Sequence, residues 1–156
     1  MTPAQLATLK AAILADPVLN AYPNTGDGAY DMCAQKLNIA AAPEFVVWQN
    51  NLTPELFDSG LINGATQIDG LTQGKREELF LIGSRTRDCN IVAVRAAIDD
   101  ATGSANTLKA ALVAVEKRPA LLGEKIFATG TGTTLSPATL VWYGSINYQD
   151  VIAARA

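Results

Sequence analysis

A run of glycine and threonine near the C-terminus divides this chain into two parts that we expect to fold differently. The run, Thr129 to Thr134, contains Gly130 and Gly132 and no apolar side chain, which is typical of a flexible linker. Apolar residues before it recur mostly at helical spacing. After it, Leu140–Tyr143 is rich in residues that favour a strand, and Asn147 can cap a last short helix. We predict a helical body over residues 1–128 and a C-terminal arm over residues 129–156, with a hinge, a short strand and a short helix.

Local signals in the body predict several separate helices. Thr2 and Gln5 flank Pro3 in the pattern of a capping box, and Thr53-Pro54 repeats the Thr-Pro start. Gly103 follows an apolar helical pattern and is expected to stop it, since glycine favours the position just after a helix. The predicted fold class is mainly α, a helical bundle body with a small β element and an extended C-terminal segment.

Other segments give weaker signals. Pro43–Trp48 favours a proline-started helix, although its β-branched pair leaves a strand possible. Residues 60–74 contain four glycines and are expected to form a surface loop. Ser104 is expected to cap the next helix. The charged clusters Asp99-Asp100 and Glu116-Lys117-Arg118 are interpreted as solvated surface, the usual place for such residues.

Composition limits the classes of protein that this chain can belong to. The 156 residues are most simply one domain, and 49% apolar with 17% charged residues is too apolar for a disordered chain. A net charge of −3 and a pI near 4.8 do not provide the basic field that phosphate binding needs. We therefore expect no specific nucleic-acid binding.

Cysteine usage and hydropathy suggest where the protein is made. Cys33 and Cys89 lie among apolar neighbours, and we expect both to be reduced and buried. The sequence has no apolar run of membrane-spanning length and no signal-peptide pattern at its start. We therefore expect that the protein is made in a cytoplasm and does not associate with a membrane.

The sequence offers no recognisable catalytic, metal or cofactor site. It contains no histidine, which removes the usual triads and most zinc sites. Gly70–Arg76 and Gly130–Thr134 resemble phosphate-binding loops only in part, because the spacing or the third glycine is missing. We predict that the protein is not an enzyme and binds no metal or cofactor.

Aromatic residues in the predicted arm are the best candidates for a contact surface. Val141, Trp142 and Tyr143 are consecutive, and Tyr148 follows shortly afterwards. Trp and Tyr are enriched at interface anchor points, and a strand on a flexible stem can join a neighbour's sheet. Packing of the same strand on its own domain is an equally plausible alternative.

Both ends of the chain resemble a family of small structural proteins from tailed bacteriophages. The similar segments begin at Thr2-Pro-Ala-Gln-Leu and at Gly123-Glu-Lys-Ile-Phe, and the second continues through Ser136-Pro-Ala-Thr-Leu and Gly144-Ser-Ile-Asn-Tyr-Gln-Asp-Val. They cover about a third of the chain, whereas residues 52–87 depart from the pattern. Within that family, a helical domain of this size with a C-terminal segment is similar to head–tail connector adaptors.

This resemblance implies a role in the virion. Such an adaptor or head-completion protein would form a closed ring of about twelve identical subunits under the portal, with contacts to portal or tail proteins. Gly130 and Gly132 would be the hinge, and Val141, Trp142, Tyr143 and Tyr148 would make the contact.

Two alternatives remain. One is a tail-side structural protein, either a tail-completion or a minor tail component. The other belongs to a different class, a small cytoplasmic enzyme or ligand-binding module. That second class requires a pocket with polar groups placed on it.

Overall fold

Helices dominate the architecture, and the strands are short. A computed structural model of the chain describes every residue from Met1 to Ala156. The helices are α1 (Pro3–Ala15), α2 (Pro17–Asn20), α3 (Asp27–Leu37), α4 (Pro54–Asn63), α5 (Gln73–Gly83), α6 (Val92–Thr102), α7 (Asn106–Val115), α8 (Leu122–Phe127) and α9 (Tyr148–Arg155), with a 3-10 turn at Ala65–Gln67. The strands are β1 (Val46–Trp48), β2 (Lys117–Pro119), β3 (Ala128–Thr129) and β4 (Thr139–Leu140). β1 pairs with β2, and β3 pairs antiparallel with β4. The predicted mainly-α class with a small β part is confirmed.

The predicted helix boundaries hold where the signal is local. The Thr2 hydroxyl accepts from the Gln5 N–H at 3.3 Å, and the Gln5 side chain accepts from the Thr2 N–H at 2.8 Å. Asn147 and Asp150 exchange the same pair of bonds at the start of α9. Gly103 ends α6 with a φ of +52°, a backbone angle that side chains disfavour.

Predictions that depend on distant partners were less accurate. Val46–Trp48 forms a strand rather than a helix, because it pairs with β2. Ala105, not Ser104, is the residue that precedes α7. α4 continues to Asn63, inside the segment that we predicted to be a loop.

The chain divides into two compact units along boundaries that the sequence did not indicate. The first unit contains Met1–Val46 and Pro119–Ala156, and the second contains Val47–Arg118. The predicted division between residues 128 and 129 therefore lies inside the first unit. The chain leaves that unit through β1 and returns to it through β2.

The core of the first unit is built from both ends of the chain. Helix α9 packs on α1 and α3. The buried residues of this core are Leu9, Ile13, Leu19, Cys33, Ala34, Leu37, Phe127, Ile146, Val151 and Ala154. The segment that we predicted to be an arm thus supplies part of this core, because its apolar side chains find a buried site on their own unit.

Polar contacts also hold the C-terminal segment on the first unit. The Asn38 side-chain amide donates to the carbonyl of Ile146 at 2.7 Å and accepts from its N–H at 2.9 Å. The Arg155 guanidinium donates to the carbonyl oxygens of Leu19 and Tyr22 at 2.7 and 2.8 Å. The carbonyls of Tyr22 and Ile146 lie outside the helices and strands, so these side chains give them partners that secondary structure does not supply.

The second unit is a four-helix core formed by α4 to α7. Its buried residues are Leu52, Phe57, Leu61, Leu79, Ile82, Cys89, Ile98, Ala101, Ala105, Leu108 and Leu112. Gly83 lies against the Phe57 ring so closely that an added Cβ would stand 2.4 Å from it. Both cysteines of the chain are free and buried, as predicted. None of the helices has the length and apolarity needed to cross a membrane.

Candidate functional site

The predicted contact residues lie on the surface of the first unit, where one of them, Trp142, turns its ring inward. Trp142 is half-buried and packs on Phe127, with ring centroids 5.2 Å apart and planes tilted by 57°. Val141 and Tyr143 on either side of it are 67% and 52% exposed, and Tyr148 is 39% exposed. The structure thus makes Trp142 an internal anchor and leaves its neighbours available to a partner.

Gly130 and Gly132 occupy positions that only glycine tolerates well. Their φ angles are +122° and +65°. A Cβ on Gly132 would lie 2.1 Å from the ring of Phe45, and one on Gly130 would lie 3.2 Å from the Cα of Ala138. The carbonyl of Gly132 also accepts from the Val46 N–H at 2.8 Å. In the folded chain, both glycines therefore permit close packing, Gly132 against Phe45 and Gly130 against Ala138.

A pocket in the second unit was not anticipated from the sequence. It has a volume of about 370 Å³ and is open to the surface. Its lining residues come from β1 (Trp48), from α6 (Val92, Arg95, Ala96 and Asp99), from α7 (Lys109 and Val113) and from Glu116, which ends α7. The residues from α6 recur at helical spacing, as do those from α7, so one face of each helix lines the pocket.

The basic residues of this pocket already have partners. The Arg95 guanidinium lies over the Trp48 ring at 4.3 Å from its centroid, and its Nη1 donates to the carbonyl of Cys89. The Lys109 Nζ lies 3.1 Å from the Asp99 Oδ1. These contacts fix both cations against the pocket wall.

Glu116 lines this pocket, and its carboxyl has a buried oxygen, Oε1, without a hydrogen-bond partner. The residue is only 2% exposed, and its Oε1 makes no hydrogen bond. Its backbone is well held, since its N–H donates to Leu112 at 3.1 Å and its carbonyl accepts from Gln49 at 2.6 Å. A buried acceptor of this kind is costly and rare in folded proteins.

Burial also changes the acidity of this carboxyl. Loss of solvation raises the pKa of Glu116 from its ordinary value of 4.5 to about 7, and the nearby Asp99 adds to the rise. Arg95, Lys117 and Lys109 act in the opposite direction. Near neutral pH the carboxyl is therefore divided between its neutral and its charged form.

Sequence reasoning missed this group because charged clusters are usually solvated. Asp99 and Asp100 do have side chains that are 51% and 72% exposed, as predicted. The side chain of Glu116 is not exposed, since this residue caps α7 on the side that faces α6. The helical spacing of Val113 and Glu116 was the available signal, but the spacing alone does not say which face is covered. No group of three or more His, Cys, Asp or Glu side chains is placed to hold a metal ion.

Comparisons with known proteins identify no relative of this chain. A scan against protein families, a search of curated proteins and a search of solved structures each gave no match.

Proposed function

We propose that this protein is a structural component of a tailed-phage virion, a head–tail connector adaptor or head-completion protein that forms a ring on the portal. The observation that carries the proposal is the exposure of Val141 and Tyr143 on either side of the anchored Trp142. Tyrosine is typical of the residues that dominate protein interfaces. The partner that we propose, the portal, comes from the similarity of the chain ends to small structural proteins of tailed phages.

The way this surface is held favours docking without release of the C-terminal segment. Trp142 packs on Phe127, while Ile146 and Val151 are buried in the first unit. A contact surface that is already ordered loses less conformational entropy on binding than a segment that orders as it binds. We therefore place the contact on the folded segment rather than on a detached arm.

A ring role also fixes the kinds of partner. Each subunit would contact its neighbours head to tail in a closed ring of about twelve copies. The exposed residues around Trp142 would meet the portal or a tail protein. The protein would be made in the bacterial host cytoplasm and found in the virion.

The test is a pair of surface substitutions in the C-terminal segment. Truncation after Ala128 would also remove buried residues of the first unit, so it cannot separate docking from folding. Replacing Val141 and Tyr143 together by serine removes the exposed apolar side chains on either side of Trp142 and leaves Trp142 in place. Ile62→Ser is the matched control, because Ile62 is 74% exposed and belongs to the second unit.

Particles assembled with each variant would be purified and their protein content measured by mass spectrometry. We expect wild type and Ile62→Ser to be present in ring stoichiometry at the portal vertex, and the double variant to be lost while keeping its circular-dichroism spectrum. Normal incorporation of the double variant would contradict the assigned surface. Absence of the wild-type protein from particles would contradict the virion role, and location at the tail tip would favour a tail-side component instead.

A further inference from the structure

Helix α3 of the first unit turns one side to its core and leaves the other side uncovered. Its buried residues are Cys33, Ala34 and Leu37. Met32, which lies on the outer side of the helix, is 56% exposed. Asp27 and Asp31, one helical turn apart, are exposed as well. We call Asp27, Asp31 and Met32 the α3 face, which is acidic and carries one large apolar side chain.

Helix α5 of the second unit has an outer side of the opposite charge. Its buried residues are Leu79, Ile82 and Gly83. Phe80 and Leu81 beside them are 59% and 64% exposed, and Arg85 is exposed two residues after the helix ends. We call Phe80, Leu81 and Arg85 the α5 face. Adjacent large apolar side chains that stay open to solvent are typical of interaction sites.

The charged groups of both faces have no ionic partner in their own chain. Asp27, Asp31 and Arg85 take part in no ion pair. Asp31 accepts one hydrogen bond from the Nε2 of Gln35 at 2.7 Å, which leaves its negative charge in place. Two unpaired carboxylates on one unit and an unpaired guanidinium on the other are complementary in charge. This complementarity points to a second copy of the chain as the partner.

We propose that the α3 face of one copy packs against the α5 face of a second copy, with the two helices antiparallel. Each helix has 11 residues, so the two faces match in length. Antiparallel packing brings Asp27 and Asp31 to the end of α5 at which Arg85 lies. It also brings Met32 to the apolar pair of the α5 face, and these side chains then leave water together.

The other charges near the two faces favour the antiparallel over the parallel arrangement. Lys36 lies in the last turn of α3. Parallel packing would bring it to Arg85, and like charges at an interface cost free energy. In the antiparallel arrangement Lys36 comes near Arg76 and Glu77 in the first half of α5, whose charges offset each other. The attraction between charges therefore arises at the Arg85 end.

Because the two faces belong to different units of the chain, the contact between copies is heterologous. A copy that uses its α5 face keeps its α3 face for another copy, so the same contact can repeat from copy to copy. Two α3 faces would set carboxylates against carboxylates, and this repulsion opposes an isologous pair. The contact supplies the head-to-tail step of the proposed ring, and only its closure into a ring rests on the proposed function.

The test uses two charge-reversed variants that can associate only with each other. In the first variant, Asp27→Lys and Asp31→Lys make the α3 face basic, and in the second, Arg85→Glu makes the end of the α5 face acidic. Each variant alone would set like charges together, whereas a mixture has opposite charges at every contact. Sedimentation velocity of the full chain between about 10 µM and about 1 mM measures association.

We expect the wild-type protein to associate as its concentration rises, and each variant alone to associate at least about tenfold more weakly. An equimolar mixture of the two variants should recover the association of the wild type. Asp58→Lys is the matched control, because Asp58 is an exposed aspartate of the second unit that takes part in no ion pair, and it should associate as wild type does.

The apolar part of the contact is tested separately. Phe80→Ser should weaken association by about tenfold or more, because a large apolar side chain no longer leaves water. Ile62→Ser is the control, since Ile62 is exposed in the same unit and lies outside the α5 face. Circular dichroism shows whether each variant is folded. If a charge-reversed variant is not folded, the comparison of Phe80→Ser with Ile62→Ser decides.

Three results would overturn the proposal. They are a wild-type protein that stays monomeric at about 1 mM, separate charge-reversed variants or Phe80→Ser that associate as wild type does, and an equimolar mixture that stays monomeric although the wild type associates. Loss of the protein from phage particles with association in solution intact would contradict the proposed function and leave this contact standing.

Discussion

Replacing Glu116 by glutamine should remove a pH-dependent loss of stability from the second unit. The residue is 2% exposed, and its Oε1 has no hydrogen-bond partner. Charging it in that position leaves a buried carboxylate that Arg95, Lys117 and Lys109 compensate only in part. Glutamine has nearly the same shape and stays neutral, so the variant should behave like the protein with Glu116 protonated.

The size of this change in stability follows from the pKa of Glu116. Burial raises the pKa of Glu116 from 4.5 to about 7, and each pKa unit corresponds to about 1.4 kcal/mol. Because folding favours the protonated form, the stability linked to this proton is complete below pH 4.5 and is lost as the pH rises through about 7. The loss amounts to about 3 kcal/mol by about pH 9.

Urea denaturation at a series of pH values would measure this difference. Fluorescence of Trp48 in a Trp142→Phe background follows the second unit without a signal from the first. We expect Glu116→Gln and its parent to have similar free energies of unfolding near about pH 4, and the variant to be more stable by about 3 kcal/mol near about pH 9. Glu77→Gln, at an exposed position, should show no such pH-dependent gain.

A constant difference between Glu116→Gln and its parent across this pH range would refute the reasoning. It would mean that the carboxyl has the same proton affinity in the folded and unfolded chain. A variant that became less stable at high pH would show that the charged carboxylate is paired in solution.

Two further substitutions test the packing of the C-terminal segment in the first unit. Gly132→Ala places a Cβ 2.1 Å from the Phe45 ring at a φ of +65° and should lower the free energy of unfolding by about 2–4 kcal/mol. Gly26→Ala, at a φ of +84° with no atom within 4 Å, should cost only about 1–2 kcal/mol for backbone strain, and equal losses in urea denaturation would contradict the packing argument. Asn38→Ala removes two hydrogen bonds to Ile146 and should cost about 1–3 kcal/mol, seen as faster amide hydrogen exchange in the C-terminal segment; unchanged exchange would show that these bonds do not hold it.

Short-range signals explain what could be predicted from the amino-acid sequence. The capping residues Thr2 and Asn147 act within a few residues of themselves, as does the glycine stop at Gly103. Their bonds form in any context that allows a helix, so the mainly-α class and several helix ends follow directly. The burial of both cysteines followed from their apolar neighbours.

Tertiary contacts decided the remainder, because they join residues far apart in the chain. Val46–Trp48 could be a helix or a strand until a partner strand was available. The segment after Gly132 has the composition of a free arm, yet Ile146 and Val151 are buried beside residues near the N-terminus. The sequence predicts Glu116 to be part of a solvated charged cluster, and only the packing of α7 against α6 buries it beside a pocket. Local sequence fixes backbone preferences, whereas burial depends on which distant surfaces come to cover a side chain.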